Sequence, residues 1–323
     1  LDDIGELDNT LIMVISDNGA SPEGGENGTL NENDFFNYIP NDLQANLAAL
    51  DTLGGPDHYN HYAWGWANAG NTPYKRWKKE TFRGGTSDPF VVSWPKKIDA
   101  HGEFRTQYGH AIDMVPTVLD LLGIDPPESI KGVTQDPIEG VSLKPTIDDA
   151  NAPEVRTTQY YEVLGSRSIY RDGWRAECGW PGPNYKTGAE NGHHVGDPIH
   201  ADDLVELDTT WELYDLRSDP AECHDLAKEQ PDKLKELVDL WYSEAVKYNV
   251  LPLQGTIGQR LTFPRPMPGR ATDQHVYYAG APIPALAAPN IYNRPFTITA
   301  EVHVPEGGAE GVVVAWGCLL YTS

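Results

Sequence analysis

The stretch from Thr10 to Gly19, reading Thr-Leu-Ile-Met-Val-Ile-Ser-Asp-Asn-Gly, sets the tightest limit on what this chain can fold into. Leu11 to Ile15 form an unbroken apolar run rich in β-branched residues. That pattern predicts a parallel strand buried on both faces, with a buried helix segment as the alternative that period alone leaves open. A strand would end at Ser16 and put Asp17, Asn18 and Gly19 at its carboxyl end, where open α/β sheets carry ligand sites. Two adjacent oxygen-bearing side chains before a glycine suit a hard cation such as calcium or magnesium. The same triplet is also ordinary turn chemistry, so the segment alone leaves both readings open.

The acidic balance narrows the partners. With 48 Asp and Glu against 24 Lys and Arg, the formal net charge is -24. A phosphate backbone or an anionic bilayer would be repelled, so no nucleic acid and no membrane surface is expected as a partner. No apolar run approaches the roughly twenty residues of a membrane span. At 323 residues the chain can hold two domains and a substantial core. Two of the three cysteines, Cys178 and Cys223, have neither zinc spacing nor a disulfide framework, and the compartment stays undecided.

Along the chain, Ala20 to Thr29 reads as an exposed loop rich in Gly, Glu and Ser. Leu43, Leu47 and Leu50 predict a helix behind Asn41 as N-cap, stopped by Gly54-Gly55-Pro56. The aromatic stretch His58 to Trp66 either lines a substrate pocket or packs over a sheet edge. Lys75, Arg76, Lys78, Lys79 and Arg83 then concentrate five cations within nine residues, a candidate anion site or a solvated face. Gly84-Gly85 leads into Pro89-Phe-Val-Val-Ser-Trp-Pro95, a short predicted strand. Ala111 to Leu122 reads as a helix with Ile112, Val115, Leu119 and Leu122 on its apolar face and Gly123 as C-cap; His110 and Asp113 lie near its start, where Asp113 is expected to cap rather than catalyse.

Further on, Thr158 to Leu164, Arg167 to Tyr170, Gly173 to Cys178 and Trp211 to Leu216 predict short antiparallel strands, with Arg171-Asp172-Gly173 as a hairpin turn. Pro231 opens an amphipathic helix whose apolar face is expected to hold Leu234, Leu237, Leu240, Trp241 and Val246. The expected organisation is a main domain over 1–150, a subdomain of antiparallel sheet plus long helix over 151–252, and a linker over 253–293. The start of an all-β module follows over 294–317, with strands at 296–304 and 312–316. The chain is read as a piece of a longer protein, because Leu1 to Leu7 look like the tail of a helix; residues 318–323, Cys-Leu-Leu-Tyr-Thr-Ser, look adapter-derived.

Four of these landmarks together, in this order and spacing, resemble the later part of a type I sulfatase of the bacterial arylsulfatase group. They are Ser16-Asp17-Asn18-Gly19; Asn71-Thr-Pro-Tyr-Lys-Arg-Trp-Lys78 running to Gly84-Gly85; His110-Ala-Ile-Asp-Met-Val-Pro-Thr117; and Trp211-Glu-Leu-Tyr-Asp-Leu216 with Asp219-Pro220. The resemblance implies an α/β fold of the alkaline phosphatase superfamily, a mixed sheet between helices with a smaller C-terminal antiparallel sheet plus helix. It further implies a calcium ion held in part by Asp17 and Asn18, with Asn18 also facing substrate, and a sulfate-contacting Lys78, six residues before Gly84. Many members carry an acidic residue where this chain has Arg83.

The implied roles make chemical sense. A sulfate monoester needs its charge neutralised and its leaving oxygen stabilised, which a cation and an ammonium provide. Lys78 would bind a sulfate oxygen or donate to the bridging oxygen as it leaves. The implied nucleophile is a formylglycine made from a Cys-x-Pro-x-Arg motif, and neither Cys178 nor Cys223 sits in one. The expected partner is a small-molecule sulfate ester, together with the N-terminal half of the same protein, and the 323 residues alone are expected to be inactive. A phosphonate or phosphate ester hydrolase of the same superfamily is the near alternative, disfavoured by Asn18 where those enzymes often have His. A non-catalytic carbohydrate-binding or interaction module is the distant one.

Overall fold

A computed structural model describes residues 1–36, 39, 42–99, 101–179, 211–253, 275–277, 291 and 295–313. The chain divides into two compact units, Leu1–Thr262 and Phe263–Ser323.

In the first unit the opening strand forms as β1, Ile12–Ile15, but it is not parallel. It pairs antiparallel with β2, Phe90–Ser93, in register from Ile12 opposite Ser93 to Ile15 opposite Phe90. Nor is it buried on both faces, since Val14 and Val91 are each 58% exposed and Ile15 is 38% exposed. An apolar run reports that a strand suits burial, whereas a covering layer has to come from other segments, and among the described residues none lies over this face. The predicted helix 111–122 behaves alike. A 3-10 turn over Ala111–Asp113 leads into Met114–Leu122, and Gly123 closes it in the left-handed conformation at φ 67°. Its expected apolar face stays largely uncovered at Ile112, Val115 and Leu122, while Asp113 and Thr117 are the buried positions.

The C-terminal part of this unit has a compact apolar centre. Strands β5 (Thr158–Val163), β6 (Ser166–Arg171), β7 (Trp174–Cys178) and β8 (Glu212–Asp215) form one antiparallel sheet in the order β5-β6-β7-β8. They follow a two-residue-strand hairpin, β3 (Ser129–Ile130) and β4 (Val133–Thr134), in a stretch without other predicted strands. Asp172 and Gly173 both adopt positive φ, 46° and 81°, in the turn between β6 and β7, as a two-residue hairpin of matching twist requires. The helix Pro231–Lys247 lies on the sheet and drives Leu237, Trp241 and Ala245 into a core with Ile169, Ala176, Trp211 and Leu213. Val246, expected on that face, is 68% exposed. From Leu234, the eleventh following residue returns to the same face at 3.6 residues per turn, which selects Ala245.

Arg175, Glu177 and Glu222 are buried together under the sheet. Burial, only partly offset by the Arg175 guanidinium, pushes the Glu177 carboxyl well above its usual range. The cluster reaches into the N-terminal part: Arg175 donates to the Thr81 carbonyl and to Thr86 Oγ1 at 3.0 Å, and the Arg83 amide donates to Glu222 Oε2 at 3.1 Å. Within the cluster the Arg175 guanidinium is the counter-charge of both glutamates, as buried charges require. In the second unit, residues 295–313 run without ladder pairing, and the expected strand at 312–316 extends past the described residues.

Candidate functional site

The turn after β1 and the segment after Lys75 meet backbone to backbone. The Gly19 amide donates to the Gly85 carbonyl at 3.3 Å, and the Lys78 amide donates to the Ala20 carbonyl at 3.1 Å. A side chain at Gly19 would put its Cβ 1.7 Å from the Gly84 carbonyl oxygen, and one at Gly84 would fall 2.1 Å from the Arg76 carbonyl. Both glycines are therefore demanded by close approach rather than by turn shape. The Lys78 segment is also bent hard: Arg76 and Lys79 hold φ at 71° and 77°, left-handed values that cost about 1 kcal/mol or more in a non-glycine residue. Trp64 stacks on Trp77 at 5.9 Å and donates from its indole to the Pro22 carbonyl at 2.9 Å, so this aromatic supports the bend from beneath. Tyr59 and Trp66 from the same stretch face solvent.

The five cations do not form one anion site. Lys75 turns to the C-terminal sheet, where it bonds Glu212 at 2.8 Å and the Tyr214 hydroxyl at 2.5 Å. Arg83 bonds the Pro220 carbonyl at 2.5 Å and Ser87 Oγ at 2.8 Å. Lys78 and Lys79 share one carboxylate, Glu23, at 3.0 and 2.8 Å. Arg76 lies over the Phe82 ring.

Glu23 belongs to the loop expected to be exposed, yet it is 6% exposed. The loop is folded inward by the Thr29–His61 bridge and by the Trp64 amide on the Gly25 carbonyl at 3.0 Å. Burial alone would raise the Glu23 pKa, but hydrogen bonds from Lys79, Lys78 and Ser21 outweigh it and lower the carboxyl to about 2. Glu23, Glu32 and His61 each bring one ligand atom within 4.8 Å of the others. Both Glu23 oxygens already hold ammonium groups, so a metal ion there would compete with two resident cations.

Asp17 and Asn18 stand differently. Asp17 is exposed at the end of β1, and Asn18, half-buried, turns its amide nitrogen to the Gly19 carbonyl at 3.0 Å, which leaves Oδ1 as its outward donor. A carboxylate and an amide oxygen to which, among the described residues, no ammonium is bonded form a hard donor set that fits calcium or magnesium. Nearby, burial and the Asp17 charge push the Asp88 carboxyl up to about 6.

Asp113 caps as expected, its Oδ2 accepting from the His110 amide at 2.9 Å, and His110 joins it, its Nδ1 accepting from the Ile112 amide at 3.3 Å. Asp113 does more than cap, because Arg156 grips both its oxygens at 2.7 and 2.5 Å and ties this helix to the C-terminal sheet. Cys178 is buried with its sulfur 2.8 Å from the Arg167 guanidinium, and Cys223 is exposed and free. The sequence reading missed Glu23, because a glutamate in a glycine-rich loop carries no local sign of burial.

Residues 1–124 match the family model described as sulfatase. The chain is 30% identical over 250 residues to an uncharacterized sulfatase of Schizosaccharomyces pombe, spanning 74% of this chain and 38% of that protein. An arylsulfatase of Klebsiella aerogenes is 31% identical over 42% of this chain and 27% of its own length. An N-acetylglucosamine-6-O-sulfatase of Bacteroides thetaiotaomicron is 27% identical over 74% and 31%. The chain thus spans well under half the length of these curated relatives. Among solved structures, a sulfatase from Pseudoalteromonas sp. superimposes with a TM-score of 0.46 at 15% identity, covering 78% of this chain and 40% of that one.

Proposed function

We propose that this chain, which through residues 1–124 belongs to the sulfatase family, is part of a sulfuric ester hydrolase acting on sulfate monoesters with a bound divalent cation, calcium in the first instance. The observation that carries the reading is the junction of the Asp17–Asn18–Gly19 turn with the Lys78–Gly85 segment through the Gly19 and Lys78 amides. It brings a hard oxygen donor set and the backbone of an ammonium-bearing residue to one edge of the β1–β2 ladder. Asp17 and Asn18 would hold the cation, which when bound supplies positive charge to the ester oxygens.

Lys78 binds a sulfate oxygen or protonates the leaving oxygen. For this its ammonium must leave Glu23. The Lys78 side chain is 35% exposed, and an ion pair with one partner so accessible contributes roughly 1 kcal/mol or less. Glu23 keeps Lys79 as its counter-ion throughout, so releasing Lys78 does not strand a buried charge. The nucleophile implied by the family resemblance, a formylglycine, has no counterpart at Cys178 or Cys223, and the 323 residues by themselves are expected to leave aryl sulfates intact.

Calorimetric titration of inorganic sulfate into the chain in calcium buffer tests the reading. Lys78→Ala should weaken sulfate binding by tenfold or more while far-UV circular dichroism stays unchanged; equal affinity would remove Lys78 from the site. In a longer protein containing this chain and its nucleophile, faster turnover of an aryl sulfate than of a phosphodiester separates the sulfatase from the phosphohydrolase reading.

A further inference from the structure

We infer that Glu23 is an exchangeable internal counter-ion of Lys78, holding its ammonium until a sulfate displaces it, while Lys79 and Ser21 retain the carboxylate; this regulation of the anion site rests on the sulfate-binding reading of Lys78. The carboxylate is placed by its own loop. Glu23 sits in a turn closed by the Gly25 amide on the Pro22 carbonyl at 2.9 Å. Its amide donates to Ser21 Oγ at 3.3 Å, and that hydroxyl donates back to Glu23 Oε2 at 2.9 Å. The buried side chain therefore has contacts within its loop that do not depend on Lys78.

Successive residues of an extended chain project to opposite sides. With the left-handed backbone at Lys79, φ 77°, the ammonium groups of Lys78 and Lys79 nevertheless reach the same carboxylate. The two are not equivalent there. Lys79 bonds Oε1 at 2.8 Å, whereas Lys78, at 3.0 Å, shares Oε2 with the Ser21 hydroxyl. When Lys78 leaves, Oε1 keeps an ammonium and Oε2 keeps a hydroxyl, so neither oxygen of the buried carboxylate is orphaned. The Lys78 backbone need not move, because its amide stays on the Ala20 carbonyl at 3.1 Å; only the partly exposed side chain swings. The exchange is also matched in charge, since Lys78 gives up a carboxylate oxygen and gains a sulfate oxygen. Glu23 thus acts as a resident anion that an incoming sulfate has to outcompete, and its presence sets how tightly Lys78 binds one.

Calorimetric titration of inorganic sulfate into the chain tests the exchange through a double-mutant cycle of Glu23→Gln and Lys78→Ala, with far-UV circular dichroism as the check on folding. Glu23→Gln should tighten sulfate binding by about two- to fivefold, the equivalent of an ion pair with one accessible partner. That gain should vanish on the Lys78→Ala background. A gain that persists there would come from the general loss of negative charge and would overturn the exchange. Ser21→Ala is a milder change that keeps every charge and removes the hydroxyl retained by Oε2. It should hold Lys78 more firmly on Glu23 and weaken sulfate binding by about twofold or more, and tighter binding would likewise overturn the exchange. If Lys78→Ala weakens sulfate binding but Glu23→Gln leaves it unchanged or weaker, the exchange is overturned and the reading of Lys78 stands. If Lys78→Ala binds sulfate as the unsubstituted protein does, the reading of Lys78 falls and the exchange with it.

Discussion

The β1–β2 ladder and the β5–β8 sheet are both antiparallel, yet they are stabilised in opposite ways. The β5–β8 sheet lies under the helix Pro231–Lys247 and buries Ile169, Leu213, Leu237 and Trp241 completely. The β1–β2 ladder leaves Val14, Ile15 and Val91 in contact with solvent, and what orders its functional end is polar: Gly19 on Gly85, Lys78 on Ala20, and the two lysines on Glu23. The candidate site is therefore a hydrogen-bonded and ionic assembly anchored from behind by a conventional core, through Arg175 on Thr81 and Arg83 on Glu222. A site made this way can be disabled without unfolding its support.

Substitutions can break that contrast. The largest effect is expected from Trp241→Ala, which empties the centre of the core and should cost about 3–5 kcal/mol in urea unfolding; a cost below 1 kcal/mol would mean the core is not where the stability lies. Gly19→Ala should come next, because its Cβ cannot coexist with the Gly84 carbonyl. Hydrogen exchange at residues 16–20 and 78–85 should rise sharply while protection in β6 and β7 is kept, and a global loss of protection would erase the distinction between site and support.

Glu23→Gln sharpens the contrast from the electrostatic side. It leaves two lysines without their shared carboxylate and should cost about 1–2 kcal/mol, below the 3–5 of a fully buried pair because both lysine side chains are about a third exposed. The pH dependence has a definite sign. The folded pKa of Glu23, about 2, is below its ordinary 4.5, so its stabilisation is complete above about pH 5 and is lost as pH falls towards 2. The difference in melting temperature between Glu23→Gln and the unsubstituted protein should accordingly shrink between pH 5 and pH 2, and a difference that stays constant with pH would rule out the ionised carboxylate as its source. The smallest effect is expected from Val14→Thr, within about 0.5 kcal/mol as for an exposed surface position. A loss above 2 kcal/mol in the same urea experiment would reveal that this face is covered in solution.

Much of the support was legible in the residues. The Asp172-Gly173 turn, the four short strands and the helix opened by Pro231 follow from turn chemistry and from periods of 2 and 3.6 residues, and in each case the partner segment lies near in the chain or is apolar enough to be found without specificity. For the candidate site, the sequence offered Asp17 and Asn18 as hard oxygen donors, and Lys78 through the family resemblance; the structure shows their backbones meeting at Gly19–Gly85 and Lys78–Ala20. The internal wiring of the site was not legible. Asp42 caps the helix Leu43–Ala48, accepting from the Gln44 amide at 2.8 Å, whereas Asn41, the cap expected from the sequence, lies outside the described residues.

By itself, then, the sequence determined the turn at Asp172-Gly173, the strands β1, β2 and β5–β8, and the helix opened by Pro231. Those properties depend on backbone sterics and side-chain spacing over a few residues. Tertiary structure alone decided that β1 runs antiparallel to β2, that Glu23 is buried and claims Lys78 and Lys79, and that Lys75 and Arg83 leave the cation run for the C-terminal part. Each of these is a pairing of charges or strands separated by dozens of residues, and electrostatic energy depends on distance in space, which chain spacing does not supply.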